Sequence, residues 1–128
     1  LPLSDALFCN DLEAATICKY LQLDDVMEVD LPLVIRTEGD NGSTAKVGDE
    51  VMHIPAVKAD RVVDVTGAGD NYRAGFYAAT YRGVDVPEAL VIASAVSSFA
   101  VEEVGALNNI PTWDAVLERA EPYLGMIS

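Results

Sequence analysis

The stretch Val63-Asp64-Val65-Thr66-Gly67-Ala68-Gly69-Asp70, running on into Asn71-Tyr72-Arg73-Ala74-Gly75-Phe76, constrains this chain more than any other. A strand ends at Thr66 and a helix begins within Gly67–Asp70, so the chain must turn from one to the other in very few residues. Glycines let the backbone turn tightly and approach a ligand closely. The first amides of a helix lack internal acceptors, and the dipole there is positive. Such a turn suits an anion, and Asp70 would sit beside it. For a bare G-x-G, a plain strand-to-helix turn with Asp70 as a first-turn acid is the simpler reading. The Rossmann fingerprint is not met, because Tyr72 stands where its third glycine belongs, and no P-loop lysine follows.

Upstream, Asp5–Cys9 reads as a short strand, and Asn10 opens an amphipathic helix with Leu12, Ala15, Thr16, Cys18 and Leu21 toward one face. Pro32–Thr37 is a second strand, running into the turn Gly39-Asp40-Asn41-Gly42. Ser43–Val47 and Glu50–Ile54 alternate around Gly48-Asp49 and predict a hairpin. Arg61–Val65 is a further strand. Beyond Thr66 the spacing is helical: Ala68 to about Arg82, with Gly83 as the stop, then Asp85 to about Val104, apolar nearly all round and so buried. After a loop with Gly105, Asn108, Asn109 and Pro111, Thr112 caps a last helix to about Tyr123. The order of elements predicts an α/β sheet in one domain over residues 1–128.

The charge balance limits the partners. Twenty-one acidic residues face eight basic ones, for a net charge of −13, which excludes a nucleic-acid surface built on clustered positive charge. An ordinary solvated surface and adaptation to high salt both account for that excess. In either case local amide dipoles must hold an anionic ligand, because the mean field repels it. The longest apolar run, Ala89–Val101, is broken by Ser94, Ser97 and Ser98 and falls short of the roughly 20 residues a membrane span needs. The chain opens at Leu1 with no charged-then-apolar leader, so a soluble, cytoplasmic protein without a signal peptide is expected. Cys9 and Cys18 lack CxxC spacing and read as buried free thiols, and His53 has no second ligand at metal-binding spacing.

The string D-x-T-G-A-G-D followed by A-G-F resembles the signature of the ribokinase-like (PfkB) carbohydrate kinases. Thr37-Glu38-Gly39-Asp40-Asn41-Gly42-Ser43 is similar to that family's T-x-G-x-x-G segment, although alone it is also an ordinary glycine turn. Asn10-Asp11-Leu12-Glu13 is similar to its N-x-x-E, although an N-cap Asn with Glu at N3 is equally a capping box, and the same residues can do both jobs. All three occur in the family's order. The resemblance implies a ribokinase-like three-layer α/β/α fold, of which this chain supplies the C-terminal, nucleotide-binding portion without the N-terminal strands and lid. A chain of that extent is expected to be a fragment and to self-associate.

The resemblance also implies roles. Asp70 would be the general base that deprotonates an acceptor hydroxyl, and the amides of Gly67, Ala68 and Gly69 would form the anion hole. Thr37, Gly39, Gly42 and Ser94 would face ATP, with Ser94 standing where relatives carry Asn or His beside the adenine. Asn10 and Glu13 would order magnesium through water. Asp64, Thr66, Gly105 and Asn109 would flank a monovalent cation such as potassium, although Glu102-Glu103 replace the basic or neutral residues common beside that loop. The implied partners are ATP and a sugar or sugar acid, with a nucleoside kinase of the same fold or a catalytically silent nucleotide-binding fragment as alternatives. Arg73 is expected to pair with a surface acid, and Tyr72 and Phe76 to be core.

Overall fold

The computed structural model describes residues 6–59, 68–102 and 112–127. The chain divides into two compact units, Leu1–Ile54 and Pro55–Ile127. The predicted strand Arg61–Val65 and the loop 105–111 lie outside the described residues.

In the first unit, β1 (Ala6–Asn10) leads through α1 (Asp11–Leu21) to β2 (Leu33–Thr37), and β1 and β2 pair in parallel with Asn10 opposite Thr37. β3 (Ser43–Val47) and β4 (Glu50–Ile54) continue the sheet antiparallel, in the order β1-β2-β3-β4. The β3–β4 hairpin falls where the alternation predicted it, with Gly48 at φ 62° in the turn. β2 is buried through Leu33, Val34 and Ile35, as expected of a strand covered on both faces.

Helix α1 presents only Cys18 of the predicted face. Ala14, Ile17 and Cys18 point inward and pack with Cys9, Val26 and Val34, whereas Leu12 is 78 % exposed and Leu21 57 %. The cap at Asn10 fixes where the helix begins, and that start sets which residues meet the sheet. The spacing alone had favoured the bulkier leucines.

In the second unit, α2 (Ala68–Tyr81) packs on α3 (Val86–Ala100), which packs on α4 (Trp113–Leu124). Gly83 (φ 86°) ends the turn after α2. α3 is buried along Ala89–Ala93 and again at Ala95, Ser98 and Ala100, as its apolar circumference predicts. It stops at Ala100, short of the predicted Val104. The amides of Val101 and Glu102 donate to Ser97 and Phe99, which tightens the last turn. Thr112 caps α4 by accepting from the Ala115 amide at 3.2 Å. Tyr72 and Phe76 are buried in this unit, as expected of core residues.

Candidate functional site

The parallel β1–β2 pair ends with both strands pointing the same way, and the carboxyl ends of parallel strands are where α/β sheets place ligands. β1 ends at Asn10, in extended conformation as the N-cap of α1. The Glu13 amide donates to Asn10 Oδ1 at 2.8 Å, and the Asn10 amide donates to Glu13 Oε1 at 3.1 Å. The capping box is therefore complete, and both residues are also exposed at the strand end. The Thr37 hydroxyl, opposite Asn10, donates to the Cys9 carbonyl at 3.3 Å and ties the two strand ends together. N-x-x-E and T-x-G-x-x-G thus meet at one end of the sheet.

The turn after Thr37 closes on itself. The Glu38 amide donates to Gly42 at 2.8 Å, Asn41 to Glu38 at 3.2 Å and Gly42 to Gly39 at 3.1 Å. Gly39 sits at φ 60° and Gly42 at φ 90°, ψ −134°, the second a conformation open essentially to glycine alone. On β4, His53 Nε2 lies 2.7 Å from the Asn41 carbonyl, so its ring braces this turn.

Two residues that sequence reasoning passed over organise the same end. Arg36 Nε donates to Glu38 Oε2 at 3.0 Å, and its Nη2 lies 2.9 Å from that oxygen. Its Nη1 donates to Asp25 Oδ1 at 3.3 Å, and Nε stands 3.7 Å from Asp11 Oδ1. Burial works against the Arg36 charge. The Glu38 hydrogen bond and the carboxylates of Glu38, Asp25 and Asp11 outweigh it and push the guanidinium pKa upward. The signal available in the sequence was a charged i, i+2 pair at the end of an apolar strand.

The second unit carries the other motif. Gly69 and Asp70 are exposed in the first turn of α2, and nothing lies within 4 Å of where a Gly69 Cβ would stand. Gly67, Asp64, Thr66, Gly105 and Asn109 lie outside the described residues, while Ala68 opens α2. Ser94, expected beside adenine, is part-buried on α3, where its hydroxyl accepts from the Val57 amide at 2.8 Å. Burial raises the Tyr77 phenol, and the positive charge of Arg73, four residues earlier on α2, opposes this. Glu102 is buried in an ion pair with Arg119, at 3.0 Å between Oε2 and Nη1.

A profile of the pfkB family carbohydrate kinases matches residues 1–113. The nucleoside kinase of Methanocaldococcus jannaschii is 41% identical over 119 residues, covering 91% of this chain and 39% of that protein. Its crystal structure, described as an archaeal member of the ribokinase family, superposes with a TM-score of 0.85 over 92% of this chain and 40% of that one. The nucleoside kinase of Burkholderia thailandensis in complex with ADP-inosine superposes at 0.84 with 30% identity, over 94% and 38% of the two chains. The ATP-dependent 6-phosphofructokinase of Thermoanaerobacterium thermosaccharolyticum is 35% identical over 95 residues, 74% of this chain and 29% of that protein. The chain thus spans about two fifths of the length of the first of these relatives.

Proposed function

From a chain that belongs to the pfkB family of carbohydrate kinases and has their ribokinase-like α/β fold, we propose an ATP-dependent phosphotransferase acting on a small-molecule hydroxyl, with residues 1–128 as its C-terminal, nucleotide-binding portion. The observation that carries this reading is the meeting of Asn10–Glu13 with Thr37–Gly42 at one end of the β1–β2 pair. The acceptor we favour is a nucleoside, because the nucleoside kinase of Methanocaldococcus jannaschii is 41% identical over most of this chain. A sugar or sugar acid is the second reading, supported by the likeness to a 6-phosphofructokinase.

In this reading Asp70, exposed in the first turn of α2, takes the proton from the acceptor hydroxyl. The amides of Gly67, Ala68 and Gly69 hold the charge that grows on the transferring group. Phosphoryl transfer has a loose transition state, so positioning and electrostatics matter more than a strong base. Thr37, Gly39 and Gly42 line the nucleotide, and Ser94 supports its base side by anchoring Val57.

Asn10 and Glu13 suit a magnesium ion held with its waters. Glu13 spends one carboxylate oxygen on the cap, and carboxylate and amide oxygens have further lone pairs for a hard cation. Among the described residues no group of three or more His, Cys, Asp or Glu could hold a metal ion. Magnesium would supply charge neutralisation at the phosphate oxygens. Asp64, Thr66, Gly105 and Asn109 are proposed to flank a monovalent cation such as potassium.

The test is an ADP-release assay on the full-length protein across nucleosides, sugars and sugar acids, with Asp70→Asn alongside. Asp70→Asn should lower turnover by about 10²–10⁴ and spare nucleotide affinity. Near-normal turnover in that variant overturns the base assignment. A preference for sugars over nucleosides selects the second reading.

A further inference from the structure

We propose that Arg36 is a positioning residue for the nucleotide, whose guanidinium holds the Thr37–Gly42 turn in place beside the start of α1 before any phosphate arrives. This rests on the reading above, in which those two segments carry the nucleotide and its metal ion.

The geometry is that of a hub. Arg36 stands on β2 opposite Cys9 of β1 and Thr44 of β3. It reaches carboxylates from three separate segments: Glu38 in the turn, Asp25 ahead of a 3-10 turn, and Asp11 in the first turn of α1. Each is also committed locally or lies next to a motif residue. Glu38 Oε2 accepts from the Thr44 hydroxyl at 2.9 Å, Asp25 Oδ1 accepts from the Met27 amide at 3.0 Å, and Asp11 follows Asn10 directly. Glu38, the residue between Thr37 and Gly39, is therefore pinned from both β2 and β3. Only a planar fork of donors can serve three carboxylates lying in different directions, so lysine would not replace it.

The same arrangement addresses charge. Asp11, Asp25 and Glu38 gather around Arg36 beside the Asn10–Glu13 cap, in a chain whose net charge is already −13, where the proposed phosphate ligand would meet them. Unaided, they would repel it. Arg36 offsets them while staying three-quarters covered and occupied by its own partners, which marks it as a residue that acts through others. Asp11 and Asp25 are exposed, and each of those pairs alone is weak. The joint orientation of the turn is what Arg36 contributes.

The experiment is calorimetric titration of Mg·ADP into the full-length protein and its R36M, R36K and E38Q variants, with urea unfolding of each. R36M should raise Kd about tenfold in the folded protein, comparable to the loss of an outer-shell partner at a metal site. R36K should fall between R36M and the unaltered chain, since it keeps the charge and loses the fork. E38Q, which keeps the size and shape of the side chain, should weaken binding in the same direction and stands in if R36M does not fold. A purely structural Arg36 would lower stability and leave Kd where it was. Unchanged Kd in folded R36M, or in E38Q, overturns the inference and leaves the nucleotide reading standing. No binding of Mg·ADP by the unaltered full-length protein removes that reading, and the inference with it.

Discussion

A Cβ on Gly75 would lie 2.9 Å from both Cβ and Cγ2 of Val96, and 3.1 Å from the Cα of Ala93. The glycine of the A-G-F string is thus where α2 lies against α3, and its role is to let two helices approach. Ala68, Gly69 and Asp70 of the same motif sit one to two turns earlier on the same helix. Close packing at Gly75 therefore helps set where Asp70 stands.

Gly75→Ala should lower the unfolding free energy by about 1–3 kcal/mol, the usual cost of overpacking a filled contact, even though alanine is the better helix former. Val96→Ala in the same chain should recover only part of the loss, because it removes the Cγ2 methyl and leaves the Val96 Cβ and the Ala93 Cα in the way. Urea melts of the single and double variants check this. A Gly75→Ala chain as stable as the original would show that the helices separate at little cost.

The ion pair between Glu102 and Arg119 closes the end of α3 onto α4. Arg119 also donates to the Ser98 hydroxyl at 3.0 Å and lies 3.6 Å from the Phe99 ring centroid. Both side chains are nearly buried, so removing one partner strands the other charge. Glu102→Ala should cost about 2–4 kcal/mol, somewhat below the figure for a fully buried pair because some exposure remains. Adding Arg119→Met should cost less than the sum of the two single changes. A purely additive pair would mean that the two charges do not depend on each other.

The hairpin and the capping box were legible because each is written within a few residues. Period-two alternation flanked Gly48-Asp49, and Asn10 stood three residues before Glu13. The inward face of α1 was legible only at Cys18, because Ala14 and Ile17 are chosen by what lies against the helix and not by their own size. Arg36 was missed for a related reason: Asp11 and Asp25 reach it only once β1 and β2 have paired. Ser94 shows a third limit. Its position on α3 could be read, but its hydroxyl's bond to the Val57 amide depends on Val57 coming against the helix from 37 residues away.

Cys9 gives a pH dependence with a defined sign. Burial, with the carboxylate of Glu13 adding to it and Arg36 opposing, pushes its thiol up to about 11 from an ordinary 9.0. The folded state therefore holds the proton more tightly than the unfolded chain. The resulting stability is full below pH 9 and drains away as pH rises through the window from 9 to 11. Tyr77 is also raised and contributes in the same direction, so the comparison must be with Cys9→Ala. Between about pH 8 and about pH 10.5 that variant should lose less stability than the unaltered chain. An equal loss in both would assign the alkaline decline to other groups.

The acidic excess makes the last prediction, on salt. With 21 acidic against eight basic residues, most carboxylates have no cation to meet, and repulsion among them opposes the compact state. Added KCl screens that repulsion, shortening its range from about 10 Å at 0.1 M to about 3 Å at 1 M. It also weakens pairs such as Arg36 with Asp11 and Asp25, which works the other way. Those pairs are exposed and worth little, whereas the repulsion involves the whole chain, so the net effect should be stabilising. Urea unfolding in KCl from about 0.1 M to about 1 M should show a rising midpoint, with NaCl giving the same trend if screening alone is responsible. A midpoint that falls would mean that the local pairs carry more of the stability than the net charge takes away, and a response to KCl but not NaCl would point to specific binding of potassium.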